Sequence, residues 1–125
     1  MTVYFIGAGP GDPDLMTIKG QRLLDAAALV LFAGSLVPTE NMETARARGA
    51  VVIDSAALAL DDQVELMAQT HAKGEDVASV HSGDPSLYGA IGEQIRRLEA
   101  LGIDYEIIPG VTAYAASAAW LGKEL

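Results

Sequence analysis

An α/β fold with a five-stranded parallel sheet is predicted by two features of the chain. Apolar runs of strand length alternate with amphipathic stretches of helix length from one end to the other. The apolar runs are also nearly unbroken, as expected of parallel strands covered on both faces. A length of 125 residues with 50% apolar and 20% charged residues fits one globular domain with a core of its own, and the composition argues against disorder. No internal repeat, low-complexity tract or linker divides it.

The strands are expected near 3–7 (VYFIG), 28–33 (ALVLFA), 50–53 (AVVI), 76–81 (DVASVH) and 104–108 (DYEII). Between them, Thr17 is placed to cap a helix running to about Ala27, with Ile18, Leu23 and Leu24 as its apolar stripe and Gly20 as a weak point. Thr39 is expected to cap a short second helix. A third starts at Asp61 or Asp62, carries Val64, Leu66, Met67 and His71, and stops near Gly74. A fourth spans about 87–101 with Ile91, Ile95 and Leu98 inward, and ends at Gly102. The last begins near Val111 or Thr112, is rich in alanine and breaks at Gly122.

Composition narrows the function. Seventeen acidic against eight basic side chains give a net charge of −9, which opposes non-specific binding to nucleic acid or anionic membranes. No apolar run approaches the roughly 20 residues of a membrane span, and Met1 leads straight into VYFIG without a basic leader. A soluble, cytoplasmic protein is expected. The absence of cysteine excludes disulfides, thiolate metal sites and a cysteine nucleophile, and suits a reducing compartment.

Ligands of open parallel α/β sheets bind beyond the carboxyl ends of the strands. Four segments here follow strands and carry glycine and proline: GAGPGDPDLMT, GSLVP, SGDPSLYG and PGVTA. Together they are expected to form a functional rim. The first resembles the dinucleotide fingerprint G-x-G-x-x-G but fails it. Asp12 stands where the third small residue belongs, Pro10 and Pro13 remove two N–H groups, and the second strand ends in FAGS without an acid. A nucleotide triphosphate is disfavoured too, since the GK[ST] of a P-loop is missing.

Asp12 and Asp84 each lie between glycine and proline, where a short carboxylate either closes a turn or meets a ligand donor. His81 is a candidate general base, although a lone histidine at a strand end is more often structural. Tyr88 and Tyr114 either stack on a ligand or pack. Trp120 is expected in the core or at a domain contact. No metal cluster or hydrolytic triad is legible.

The blocks GAGPGDPDLMTIKG, SGDPSLYG and PGVTAYAASAA, in this order, resemble the signature blocks of the tetrapyrrole methylases, which transfer a methyl group from S-adenosylmethionine. FAGSLVP is similar to a branch acting on a precorrin in cobalamin synthesis. The resemblance spans the whole chain. It implies a sheet order of 3-2-4-1-5 and a two-domain enzyme of about twice this length, with residues 1–125 as its N-terminal domain and the donor held in the cleft between the halves.

By motif, the resemblance assigns donor contacts to Pro10, to Ser82, Gly83, Asp84 and Leu87, and to Thr112 and Ala113. Gly11, Asp12 and Pro13 would face the tetrapyrrole. It assigns no catalytic residue and no metal, and it implies S-adenosylhomocysteine as product and a homodimer when full length. Some of the scattered Arg and Lys residues would meet the substrate's carboxylates. Alternatives are a different tetrapyrrole substrate with or without cobalt, an RNA or protein target, which for RNA the negative charge opposes, and a non-catalytic binding or dimerisation fragment.

Overall fold

Five Val-, Ile-, Leu- and Phe-rich segments pair in the computed structural model, which describes residues 1–87 and 89–125. They are β1 (Thr2–Gly7), β2 (Leu29–Phe32), β3 (Val51–Asp54), β4 (Val77–His81) and β5 (Asp104–Ile108). All pairings are parallel, and the order is β3-β2-β4-β1-β5. Val77 of β4 pairs with Val3 on one side and Leu29 on the other, so the middle of the sheet is apolar across its width.

Helices α1 (Ile18–Ala26) and α2 (Glu43–Ala47) cover one face, and α3 (Leu60–Ala72) and α4 (Gly92–Ala100) the other. Leu24 and Ala45 pack against Ile6, Val30, Val80 and Ile108 on the first face. Met67 and Leu98 pack against Val3, Phe5, Leu31 and Val77 on the second. Each large side chain fully buried in these layers contributes about 1.5–3 kcal/mol. Helix α5 (Ala113–Leu121) follows β5 directly and buries only Ala118.

Helix ends follow local chemistry. Thr17 and Thr112 accept N–H bonds from Gly20 and Ala115 as N-caps. At the end of α4, Gly102 adopts φ 69°, and its N–H and that of Ile103 return to the carbonyls of Glu99 and Leu98.

Several expectations are corrected. Thr39 does not cap a helix: after Pro38 the chain enters a 3-10 turn, Thr39–Met42, that runs on into α2. Helix α3 begins at Leu60, and Asp61 and Asp62 lie in its first turn, where acids favour the dipole without capping it. Helix α4 begins at Gly92 rather than near 87, because Ala90 sits at φ 54°, outside the helical region. Ile18 is 80% exposed, since the first residue of α1 faces away from the sheet. At Gly20 a Cβ would stand 3.0 Å from the Ile6 side chain, so its lack of one lets α1 lie close on β1. Trp120 is 89% exposed and not in the core.

Candidate functional site

The ends of β1, β4 and β5 meet backbone against backbone. A Cβ on Gly7 would lie 2.5 Å from the Gly83 carbonyl oxygen, and one on Gly110 would lie 2.1 Å from the same atom. Only glycine permits this approach. The Gly83 N–H donates to the Gly9 carbonyl at 2.7 Å, the Gly9 N–H returns the bond at 3.3 Å, and the Ala8 N–H donates to the His81 carbonyl at 2.7 Å. The first and third rim loops are therefore one bonded unit.

Asp84 extends that unit to the fourth loop. Its Oδ1 accepts the Ser86 N–H at 2.8 Å, closing a turn, and its Oδ2 accepts the Gly110 N–H at 3.1 Å. Both oxygens of the carboxylate thus serve the backbone. Asp12 behaves alike at smaller range: its Oδ1 accepts the Asp14 N–H at 2.9 Å and caps the turn Pro13–Leu15.

Above this floor lies a cavity of about 620 Å³. Pro10 and Gly11 line it from the first loop, Ser82, Gly83, Asp84 and Leu87 from the third, and Thr112 and Ala113 from the start of α5. Leu36, Pro38 and Tyr114 complete the lining among the described residues. None of the eight Lys and Arg residues is among them. The wall is therefore mostly backbone and apolar surface, with one carboxylate already bonded within the protein. Its size suits a small organic ligand, for which cavities of about 300–1,000 Å³ are usual.

Asp12 and Pro13 stand outside this cavity. Asp12 joins Pro10, Leu15, Ala113 and Trp120 around an adjoining hollow of about 540 Å³, and Pro13 lines a separate depression with Gln21 and Arg22. His81 does not line the cavity either. Its ring is turned onto Phe5 with centroids 6.2 Å apart, and its Nε2 lies 3.1 Å from the Ser79 hydroxyl. Partial burial holds the imidazole below its ordinary value of 6.5, so it is neutral near pH 7. Tyr88 lies outside the described residues.

The sequence profile described as Tetrapyrrole (Corrin/Porphyrin) Methylases matches residues 2–125. The chain belongs to the tetrapyrrole methylase family. A precorrin-4 C(11)-methyltransferase of Pseudomonas aeruginosa is 65% identical over 125 residues, covering 100% of this chain and 49% of that protein. Among solved structures, a cobalt precorrin-4 methyltransferase superposes with a TM-score of 0.95 at 46% identity, covering 99% of this chain and 52% of that one. A uroporphyrin-III C-methyl transferase from Thermus thermophilus, complexed with S-adenosylhomocysteine, gives a TM-score of 0.76 at 33% identity over 94% of this chain and 48% of that one. The chain spans about half the length of the curated relatives it matches.

For a tetrapyrrole methylase, the motif residues alone understate this cavity. Leu36 and Pro38 belong to GSLVP, legible as a rim loop but not as a wall shared with the others. The Asp84–Gly110 bond spans 26 residues of sequence and leaves no local trace.

Proposed function

We propose that this chain forms the donor-binding half of a methyltransferase that methylates carbon 11 of precorrin-4 in corrin synthesis. The single observation that carries the reading is convergence. Pro10, Ser82, Gly83, Asp84, Leu87, Thr112 and Ala113, drawn from three separate sequence blocks, all border one cavity. Likeness to precorrin-4 and cobalt precorrin-4 enzymes supports the branch.

The cavity fits S-adenosylmethionine on its own features. It is uncharged apart from the bonded Asp84, and it opens at the N-cap and first residues of α5, where the positive end of the helix dipole favours a carboxylate such as that of the donor's methionine part. When bound, the donor supplies a methyl carbon that accepts an electron pair from the tetrapyrrole ring carbon as its bond to sulfur breaks onto sulfur. The protein's work is then alignment and exclusion of water rather than proton transfer. The glycine floor supplies a fixed surface, Leu36 and Leu87 supply apolar walls, and the one carboxylate in the lining among the described residues, Asp84, is held by backbone N–H groups.

Gly11, Asp12 and Pro13 form the edge we assign to the tetrapyrrole. No Lys or Arg lines the donor cavity among the described residues, whereas Arg22 borders the depression beside Pro13, so we assign the macrocycle's carboxylates to cations on that side and in a second domain that completes the cleft. We place the full-length enzyme in the cytoplasm as a homodimer, and the absence of cysteine from residues 1–125 supports the first.

Calorimetric titration of the full-length protein with S-adenosylhomocysteine tests the donor reading, with saturable binding at one site expected. No detectable heat would sink it. Incubation with labelled donor and precorrin-4, followed by NMR location of the new methyl, tests the substrate. A methyl on a carbon other than 11 would reassign it.

A further inference from the structure

A buried polar joint beside the first loop is explained by neither the core nor the cavity lining. Asn41, in the turn after Pro38, is 6% exposed and packs beside Gln21 of α1. Its Nδ2 donates to Gln21 Oε1 at 2.7 Å and to the Pro13 carbonyl at 3.2 Å. Gln21 Nε2 donates back to the Asn41 carbonyl at 2.8 Å and to Asp25 Oδ1 at 2.7 Å. Every partner of each amide nitrogen is an acceptor, so chemistry fixes both amide orientations.

The joint connects two walls of the cavity. Through Pro13 it holds the segment that presents Pro10 and Gly11, and the Asn41 N–H donates to the carbonyl of Pro38, itself a lining residue, at 3.3 Å. The Gly9–Gly83 pair and Asp84 tie the first loop to the third and fourth, whereas Asn41 ties it to the second. Asn41 Oδ1 is also buried without a partner. An apolar pair at 21 and 41 would avoid that cost, so stability alone does not account for the two amides here.

We propose that Asn41, seated by Gln21, is a positioning residue for the methyl donor: it sets the Pro10–Pro13 segment against the Leu36–Pro38 wall. The proposal rests on the donor reading above. It predicts that losing the Asn41 amide frees the first loop and opens the cavity without touching any ligand contact.

The test uses the full-length protein and its N41L and Q21L/N41L variants, with S-adenosylhomocysteine affinity by calorimetry and amide exchange at Leu15, whose N–H bonds within the first loop. N41L is expected to weaken binding about tenfold and to speed Leu15 exchange, while core amides of β1 and β4 keep their protection. The double variant, which leaves no unpaired glutamine amide, is expected to recover thermal stability but not affinity. Affinity within about twofold of wild type in either folded variant overturns the proposal. If the wild type itself fails to bind, the donor reading falls instead. Leu15 exchange then decides alone, and unchanged exchange overturns the positioning role.

Discussion

Asp84 shows how one side chain can look like a ligand contact in sequence and act as a joint in the fold. With one oxygen on the Ser86 N–H and the other on the Gly110 N–H, its orientation is set by the backbone it joins. In D84N one acceptor becomes a donor facing a backbone N–H. The variant should lose about 1–3 kcal/mol of stability, measured by urea denaturation. Binding of S-adenosylhomocysteine should weaken by a factor that stays constant between low and high salt, because a lost joint, unlike a lost ion pair, is not screened. The turn half of this role is legible in the GDP tripeptide, as it is for Asp12. The Gly110 half is not, since only the folded sheet brings β4 and β5 to opposite sides of β1. Gln21 and Asn41 are illegible for the same reason: two ordinary amides meet only when α1 packs beside the turn after Pro38.

The glycines divide into two physical kinds. Gly110 has ordinary φ but no room, with the Gly83 oxygen where its Cβ would be, whereas Gly102 has open space and φ 69°. Gly110→Ala must move backbone and should cost about 2–3 kcal/mol together with most donor affinity. Gly102→Ala strains one residue and should cost about 1–2 kcal/mol while binding stays as in wild type. Thermal unfolding and calorimetry on both variants check this, and equal losses of affinity would contradict it. The strands were legible because two-sided burial writes itself as unbroken apolar runs. Helix starts were less so. Leu87 and Ala90 are helix-compatible, but the turn held by Asp84 and the left-handed Ala90 precede a helix that starts only at Gly92.

Acid should act on the folded domain through its interior as well as its surface. His81 is half-buried beside Phe5 with its affinity for protons lowered, so the unfolded chain binds that proton first as pH falls. Stability from its neutral form is intact above the unfolded value near 6.5 and is lost below it, toward the folded value. Urea midpoints should therefore fall between pH 7 and pH 5.5, and less steeply in H81Q, which gains no proton there. Asp76 acts lower. Burial works against its charge, but bonds from the terminal ammonium and the Thr2 N–H outweigh that and hold its carboxyl below the ordinary range. Its stabilisation is lost only as pH drops through that lowered value.

The main-chain floor under the cavity also bears on how such a chain can diverge. Where glycine backbones touch and proline fixes the rim, few mutations are tolerated, and those that are tolerated alter little a ligand would feel. Leu36, Leu87 and Tyr114, by contrast, present exposed side chains to the same space. Drift toward new ligand preferences is thus channelled onto a few wall positions, while the surface beneath is inherited nearly unchanged.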